Sequence, residues 1–329
     1  MQNPFSENDY KLLQSLVGLT QAGLKDTLGR FLAKRYKKVV NAKEYIYAQG
    51  NIPIALVAHI DTVFKRPPDP DEIFYDKQKG VIWSCAGLGA DDRAGVFAIL
   101  RIIQRGYLPT IIFTTDEEIG GGGASALVRD FPQAPCRLNY IIELDRRGIN
   151  DCVFYQCDNE EFVNYVESFG FEENWGTFTD ISIICPRWKI AGVNLSVGYE
   201  DEHDYVERLY VRHLYKTINR VIKMLLCAAD SPKFEYIEST LPFNWASWVG
   251  TLAEGDFDYL NFDDYARCVC CNTEEEKDLM IEVFNTDGKK AHCCLECCEA
   301  NKVDWCMHCG QAFVANPEKK CPVCGAINK

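Results

Sequence analysis

Apolar residues recur with two different spacings along the first two thirds of the chain, and the two alternate. Ile52–Ala58, Thr110–Thr115 and Tyr140–Leu144 are short runs rich in β-branched and aromatic residues, the pattern of strands covered on both faces. Between and after them the apolar positions follow a helical period. Arg93–Arg105 predicts a helix with its apolar positions on one side, and Tyr210–Ala228 a longer amphipathic one. Near the start, Leu24, Leu28, Phe31 and Leu32 keep helical spacing behind Thr20, a residue suited to the N-cap. Alternation of this kind predicts an α/β sandwich over residues 1–230.

The pattern then changes twice. Residues 231–265 carry two prolines, two tryptophans and an acidic end, too aromatic for a free linker, and predict a strap that packs on the preceding domain. Residues 266–329 are poor in aliphatics and crowded with cysteine: of 17 cysteines in the chain, 11 fall between Cys268 and Cys324. A segment of that length cannot fold on its core alone, so a bound metal or disulfides must supply the difference.

Composition narrows the choice. The N-terminus has no basic and apolar leader pattern, and the longest apolar runs fall far short of the roughly 20 residues of a membrane span. The expectation is a cytoplasmic protein with reduced thiols and no membrane partner, whose paired cysteines hold zinc. With 35 Lys plus Arg against 48 Asp plus Glu, the net charge of −13 argues against nucleic acid. Within residues 266–329, 8 basic residues against 10 acidic ones argue the same way.

Five segments concentrate potential metal ligands at predicted strand ends or in the loops that follow. They are His59-Ile-Asp61, Gly89-Ala-Asp91-Asp92-Arg93-Ala-Gly95, Asp116-Glu117-Glu118-Ile-Gly120, Glu143-Leu-Asp145 and Gly198-Tyr-Glu-Asp-Glu-His203. On a strand, Asp61 lies on the same face as His59 and can fix its tautomer. The glycine-rich turn brings backbone close to a metal and leaves Asp91 at a helix start. Adjacent acids, Glu117 and Glu118, can divide metal binding from proton transfer. Any one of these segments is commonplace; the ordered set is not, and it takes in two of the chain's five histidines.

In that combination the chain resembles the co-catalytic di-zinc exopeptidases, the clan of peptidase T, the zinc aminopeptidases and related amidohydrolases. The resemblance spans roughly residues 50–225 and implies a three-layer sandwich with a mixed central sheet flanked by helices. It implies that His59 and Asp145 bind one zinc, Glu118 and His203 a second, and Asp91 bridges them. Asp61 would orient His59, Glu117 would be the general base, and the Asp91–Asp92 peptide would be cis. The charge of two zinc ions is nearly cancelled by the three ligating carboxylates, so the centre can be buried. Only 57 residues separate Asp145 from His203, which leaves no room for the lid or dimerisation domain of the peptidase T branch. The resemblance therefore implies a compact zinc-dependent exopeptidase, an aminopeptidase acting on peptides. The alternatives are a deacylase acting on another amide, or an inactive scaffold for the C-terminal module. Tyr199 and Arg93 are nearby residues read as structural.

In the module, Cys268/Cys271, Cys294/Cys297, Cys306/Cys309 and Cys321/Cys324 form four CxxC pairs, each able to aim two sulfurs at a tetrahedral ion. Two structural zincs are expected, held either as sequential zinc ribbons or as a RING-like cross-brace. The first two pairs have Cys270, Cys293, Cys298 and His292 as substitutes. The module's expected role is docking of a protein partner or of substrate, or covering the active site. Cys85, Cys136, Cys152, Cys157, Cys185 and Cys227 are expected to be buried thiols.

Overall fold

A computed structural model describes residues 5–239, 265–271, 274–276, 280–294, 297–298, 300, 303–306 and 311–327. Most of the expected strap, together with Cys309, lies outside the described residues. The chain divides into two compact units, Asn3–Thr240 and Leu241–Lys329 together with Met1–Gln2. No described helix is long and apolar enough to cross a membrane.

The larger unit opens with α1 (Glu7–Val17) and α2 (Gln21–Ala33), capped by Ser6 and Thr20. Strands β1 (Lys38–Asn41), β2 (Tyr45–Gln49) and β3 (Ile52–His59) follow, then β4 (Ile73–Asp76) and β5 (Val81–Ser84). Next come α3 (Ala90–Gln104), β6 (Pro109–Thr114), α4 (Gly122–Asp130), β7 (Tyr140–Arg146) and β8 (Asp151–Val153). The unit continues with α5 (Glu160–Glu167), β9 (Glu172–Glu173), α6 (Ile181–Trp188), β10 (Gly192–Ser196), β11 (Tyr199–Glu200), β12 (Arg208–Tyr210) and α7 (Val211–Leu226).

Eight strands form one mixed sheet in the order β1-β2-β6-β3-β7-β10-β8-β9. Its centre, β6-β3-β7-β10, is parallel, and β2 and β8 join it antiparallel on either side. Helices cover both faces, and the apolar runs are buried accordingly. Tyr45, Tyr47, Val57, Ile112 and Ile141 face α4 and α6, where Leu127, Ile184 and Trp188 meet them. On the other side α3 packs on β3 and β7 and is itself covered by α1 and α7. That position explains a departure from the one-sided helix read in the sequence: Val96, Phe97, Ala98, Ile99, Leu100, Ile102 and Ile103 are all buried, because α3 is enclosed all round. The four short strands β11-β12-β5-β4 make a second sheet. Just beyond α7, Phe234 is buried among Tyr140, Phe162 and Tyr165, so the chain still packs on this unit where it leaves the described residues.

In the smaller unit β13 (Tyr265–Arg267) pairs with β14 (Glu274–Glu276). Strands β15 (Met280–Phe284), β16 (Lys290–Cys294), β17 (Val303–Trp305) and β18 (Ala312–Val314) form a sheet in the order β16-β15-β18-β17. Its apolar centre is small, built on Met280, Ile281, Val283, Val303 and Ala312, and cysteines fill the rest.

Of the six scattered cysteines, Cys152, Cys157 and Cys185 are buried and Cys136 is partly buried, but Cys85 and Cys227 are exposed. Cys85 follows the end of β5 and Cys227 caps α7, and both turns face solvent.

Candidate metal centre

The parallel centre of the sheet brings the five ligand-rich segments to one edge, where strands end and loops begin, as is usual for sites on open α/β sheets. His59 is the last residue of β3 and Asp145 lies near the end of β7, beside it. Glu117 and Glu118 follow β6 in a tight turn closed by bonds from the Gly120 and Gly121 N–H groups to the Glu117 carbonyl. Asp91 stands at the start of α3, and the Asp91–Asp92 peptide is cis, as the resemblance implies.

Two features fix α3 in place. Gly95 lies so close to β7 that a Cβ on it would sit 2.0 Å from the Leu144 carbonyl oxygen, so only glycine lets the helix start reach Asp145. From the far side, Glu207 accepts the backbone N–H groups of Gly89 at 2.6 Å, Ala90 at 3.1 Å and Asp91 at 3.1 Å. A buried carboxylate from a distant loop thus supplies the cap that the glycine turn lacks.

Asp91 is the shared element of the site. Its Oδ1 lies 2.9 Å from His59 Nε2 and its Oδ2 3.2 Å from His203 Nε2. His59 Nε2 is also 3.4 Å from Asp145 Oδ1, and His203 Nε2 is 3.0 Å from Glu118 Oε2. Two triads result, His59–Asp91–Asp145 and Asp91–Glu118–His203, each with ligand atoms within 4.8 Å of one another. Glu117 belongs to neither. Asp61 sits 3.4 Å from His59 Nδ1 and accepts the Glu118 N–H at 3.2 Å through its other oxygen, so it links the two triads from behind. His203 stands in a left-handed backbone conformation, φ 66°, which turns its ring back toward Asp91 and Glu118.

A further layer holds Asp145. Thr179 donates to its Oδ2 and Tyr199 to its Oδ1, both at 3.1 Å, while the Asn194 side chain brackets its backbone N–H and carbonyl. Tyr199 thus has a definite contact with the site. Arg93 is buried and donates to the Leu16 and Leu19 carbonyls.

The electrostatics are strongly one-sided. Burial, then Asp145 and other neighbouring charges, push the Glu117 carboxyl up to about 9. Burial and Asp91 push Glu118 up to about 7 and Asp145 to about 6. Asp92, Glu143 and Asp180, buried just behind, are raised as well, chiefly by burial. His59 is held well above the usual imidazole range: burial opposes this, but Asp145, Asp61 and Asp91 outweigh it. His203 is raised to about 9, first by its bond to Asp91. Glu118 Oε1 is buried with no hydrogen-bond partner. So many carboxylates around two imidazoles call for added positive charge, and a nitrogen-and-oxygen donor set of this kind suits zinc.

No protein-family model matches the chain, and no curated protein does. Solved structures do. A tripeptidase of Staphylococcus aureus superposes with a TM-score of 0.57 at 15% identity, covering 69% of this chain and 100% of its own. Aminopeptidase PepT of Bacillus cereus gives 0.52 at 16% identity, covering 67% and 97%. A TET aminopeptidase from a marine sediment archaeon of the Thaumarchaeota gives 0.50 at 16%, also covering 67% and 97%. The chain shares their fold. It is a mixed α/β fold with a large central sheet flanked by helices.

Nothing in the sequence marks Glu207, Thr179 or Asn194 as site residues. Glu207 lies four residues after His203 in a stretch already dense with acids, and only its burial sets it apart.

In the smaller unit the sulfurs of Cys268, Cys271, Cys294 and Cys297 lie within 4.8 Å of one another, and those of Cys306, Cys321 and Cys324 form a second group. The first CxxC pair therefore meets the second, the sequential arrangement rather than the cross-brace.

Proposed function

We propose that the chain is a zinc-dependent exopeptidase of the aminopeptidase type, with a C-terminal module built on structural zinc. The observation that carries this reading is the position of Asp91, whose two carboxylate oxygens reach His59 and His203 separately at 2.9 and 3.2 Å. In this reading His59 and Asp145 hold one ion, Glu118 and His203 the other, and Asp91 both. When bound, paired ions supply Lewis acidity toward a carbonyl oxygen and make water a stronger acid.

The chain's own residues do the rest. Asp61 fixes the His59 tautomer so that Nε2 faces the centre. Thr179 and Tyr199 keep Asp145 aimed at His59. Glu117 is the proton carrier: it is next to a ligand without belonging to either triad, so its carboxylate is left to take a proton from water and return it to a leaving amine, although without cations its raised pKa keeps it protonated. Cations bound at the neighbouring carboxylates would lower that pKa toward the working range. The peptidases that share this fold support a peptide substrate. Cys268, Cys271, Cys294 and Cys297 hold one structural zinc, and Cys306, Cys309, Cys321 and Cys324 a second.

The test is Glu117→Gln assayed on aminoacyl-anilides and N-acyl amino acids, with zinc counted in parallel. The variant should keep its metal and lose about 10²–10⁴ in kcat, because only the proton carrier is removed. Cleavage of N-acyl substrates alone would make the chain a deacylase. Unchanged activity would reassign Glu117, and no hydrolysis by either protein would leave a scaffold.

A further inference from the structure

The cysteine module holds more sulfur than one ribbon site uses at its first end. Three cysteine pairs there are adjacent in sequence: Cys270–Cys271, Cys293–Cys294 and Cys297–Cys298. One member of each pair, Cys271, Cys294 or Cys297, joins Cys268 in the four-sulfur group already described. The other members turn elsewhere, as Cys293 and Cys294 must, since successive side chains on β16 point to opposite faces.

Two of these left-over sulfurs, those of Cys270 and Cys293, form a second group with Cys268. Cys293 Sγ lies 3.7 Å from Cys270 Sγ and 3.9 Å from Cys268 Sγ, and the three sulfurs lie within 4.8 Å of one another. Cys298 stands outside that group of three but packs, partly buried, against the same cluster. In a tetrahedral zinc site with bonds of about 2.3 Å, neighbouring sulfurs are about 3.8 Å apart, close to both separations. Cys268 belongs to both groups, and the backbone N–H groups of Cys270 and Cys294 both point at its sulfur, at 3.4 and 3.3 Å. Donors so directed favour a thiolate, the form a shared ligand must take.

We propose that Cys268 bridges two zinc ions, and that Cys270, Cys293 and Cys298 complete a second four-thiolate site beside the first. Two tetrahedra sharing one vertex need seven sulfurs, the number between Cys268 and Cys298. On binding, each thiol gives its proton to solvent and its sulfur to the metal. The second ion compensates for a core with few aliphatic side chains. This inference extends the structural-zinc reading of Cys268, Cys271, Cys294 and Cys297 and rests on it.

The experiment uses the full zinc-loaded chain. A thiol-specific mercurial is titrated in and released zinc is followed with a chromogenic chelator; ions held by His and carboxylates stay bound. About three zincs per chain should be released: two from this cluster and one from the site of Cys306, Cys321 and Cys324. Release of two overturns the second ion and leaves the structural sites standing, whereas fewer than two overturns both. Cys270→Ser combined with Cys293→Ser should lower the count by one. Cadmium-113 NMR of the cadmium-exchanged chain should give two mutually coupled tetrathiolate signals, and uncoupled signals would remove the bridge at Cys268.

Discussion

The carboxylate of Glu207 receives the backbone N–H of Asp91 at 3.1 Å, from 116 residues further along the chain. The same group takes the N–H of Gly89 and of Ala90, so one buried side chain holds three N–H groups at the start of the helix that carries Asp91, the candidate shared ligand. Glu207→Gln keeps one acceptor oxygen and loses the charge. We expect a loss of about 1–3 kcal/mol in urea unfolding and weaker zinc retention against a competing chelator, with Glu207→Ala worse on both. Wild-type metal affinity in Glu207→Ala would show that Asp91 holds its place without this cap.

Tyr199 and Thr179 each donate one hydrogen bond to Asp145. Tyr199→Phe and Thr179→Val remove these bonds with little change of shape. Each should weaken zinc binding by about 10- to 100-fold, the usual cost of losing a partner of a metal ligand. Competition with a chelator of known affinity measures it.

Gly95→Ala is the sharpest packing test. The new methyl would overlap the Leu144 carbonyl and the Asp92 carboxylate, both of which line the approach of α3 to β7. The helix must move away, at a cost of about 1–3 kcal/mol, and Asp91 moves with it. Thermal unfolding and zinc content should fall together; a stable variant with full zinc would show that the helix start can shift freely.

Metal removal should destabilise the larger unit. Without cations the carboxylates of Asp61, Asp91, Asp145, Glu117 and Glu118 face one another around His59 and His203. Adding zinc to about 100 times its Kd should restore about 2.7 kcal/mol. Differential scanning fluorimetry should show that gain in the wild type and a smaller one in a His59→Ala, His203→Ala variant. Equal gains would assign the effect to the cysteine module alone.

His213 gives a pH dependence separate from the site. Burial, then Lys216 and Arg212, lower its pKa to about 4, and its Nδ1 has no hydrogen-bond partner. The unfolded chain, with an ordinary histidine near 6.5, binds a proton that the folded chain refuses until about pH 4. Stability therefore falls as pH drops from 6.5 toward 4, by about 3 kcal/mol from this residue. His213→Phe should flatten that part of the pH–stability curve measured by urea unfolding; an unchanged curve would mean that the imidazole is not the group responsible.

The α/β class, the strand runs of β3, β6 and β7, and the motifs that carry the candidate ligands are legible in the unfolded chain. Each is a local property: the side-chain period of a strand or helix and the chemistry of neighbouring residues survive without the rest of the chain. Where the ligands meet is not local. His59, Asp91, Asp145, Glu118 and His203 come together because parallel strands end on one side and α3 lies against β7 at Gly95. Glu207 could not be distinguished from the exposed acids around it until folding buried it under three backbone N–H groups. The full burial of α3 likewise depends on α1 and α7 covering a face the sequence left open. In the cysteine module, spacing supplied the pairs, but the bridge between Cys268 and His292 on β16 brings the first pair to the second, because sulfur positions follow from strand pairing.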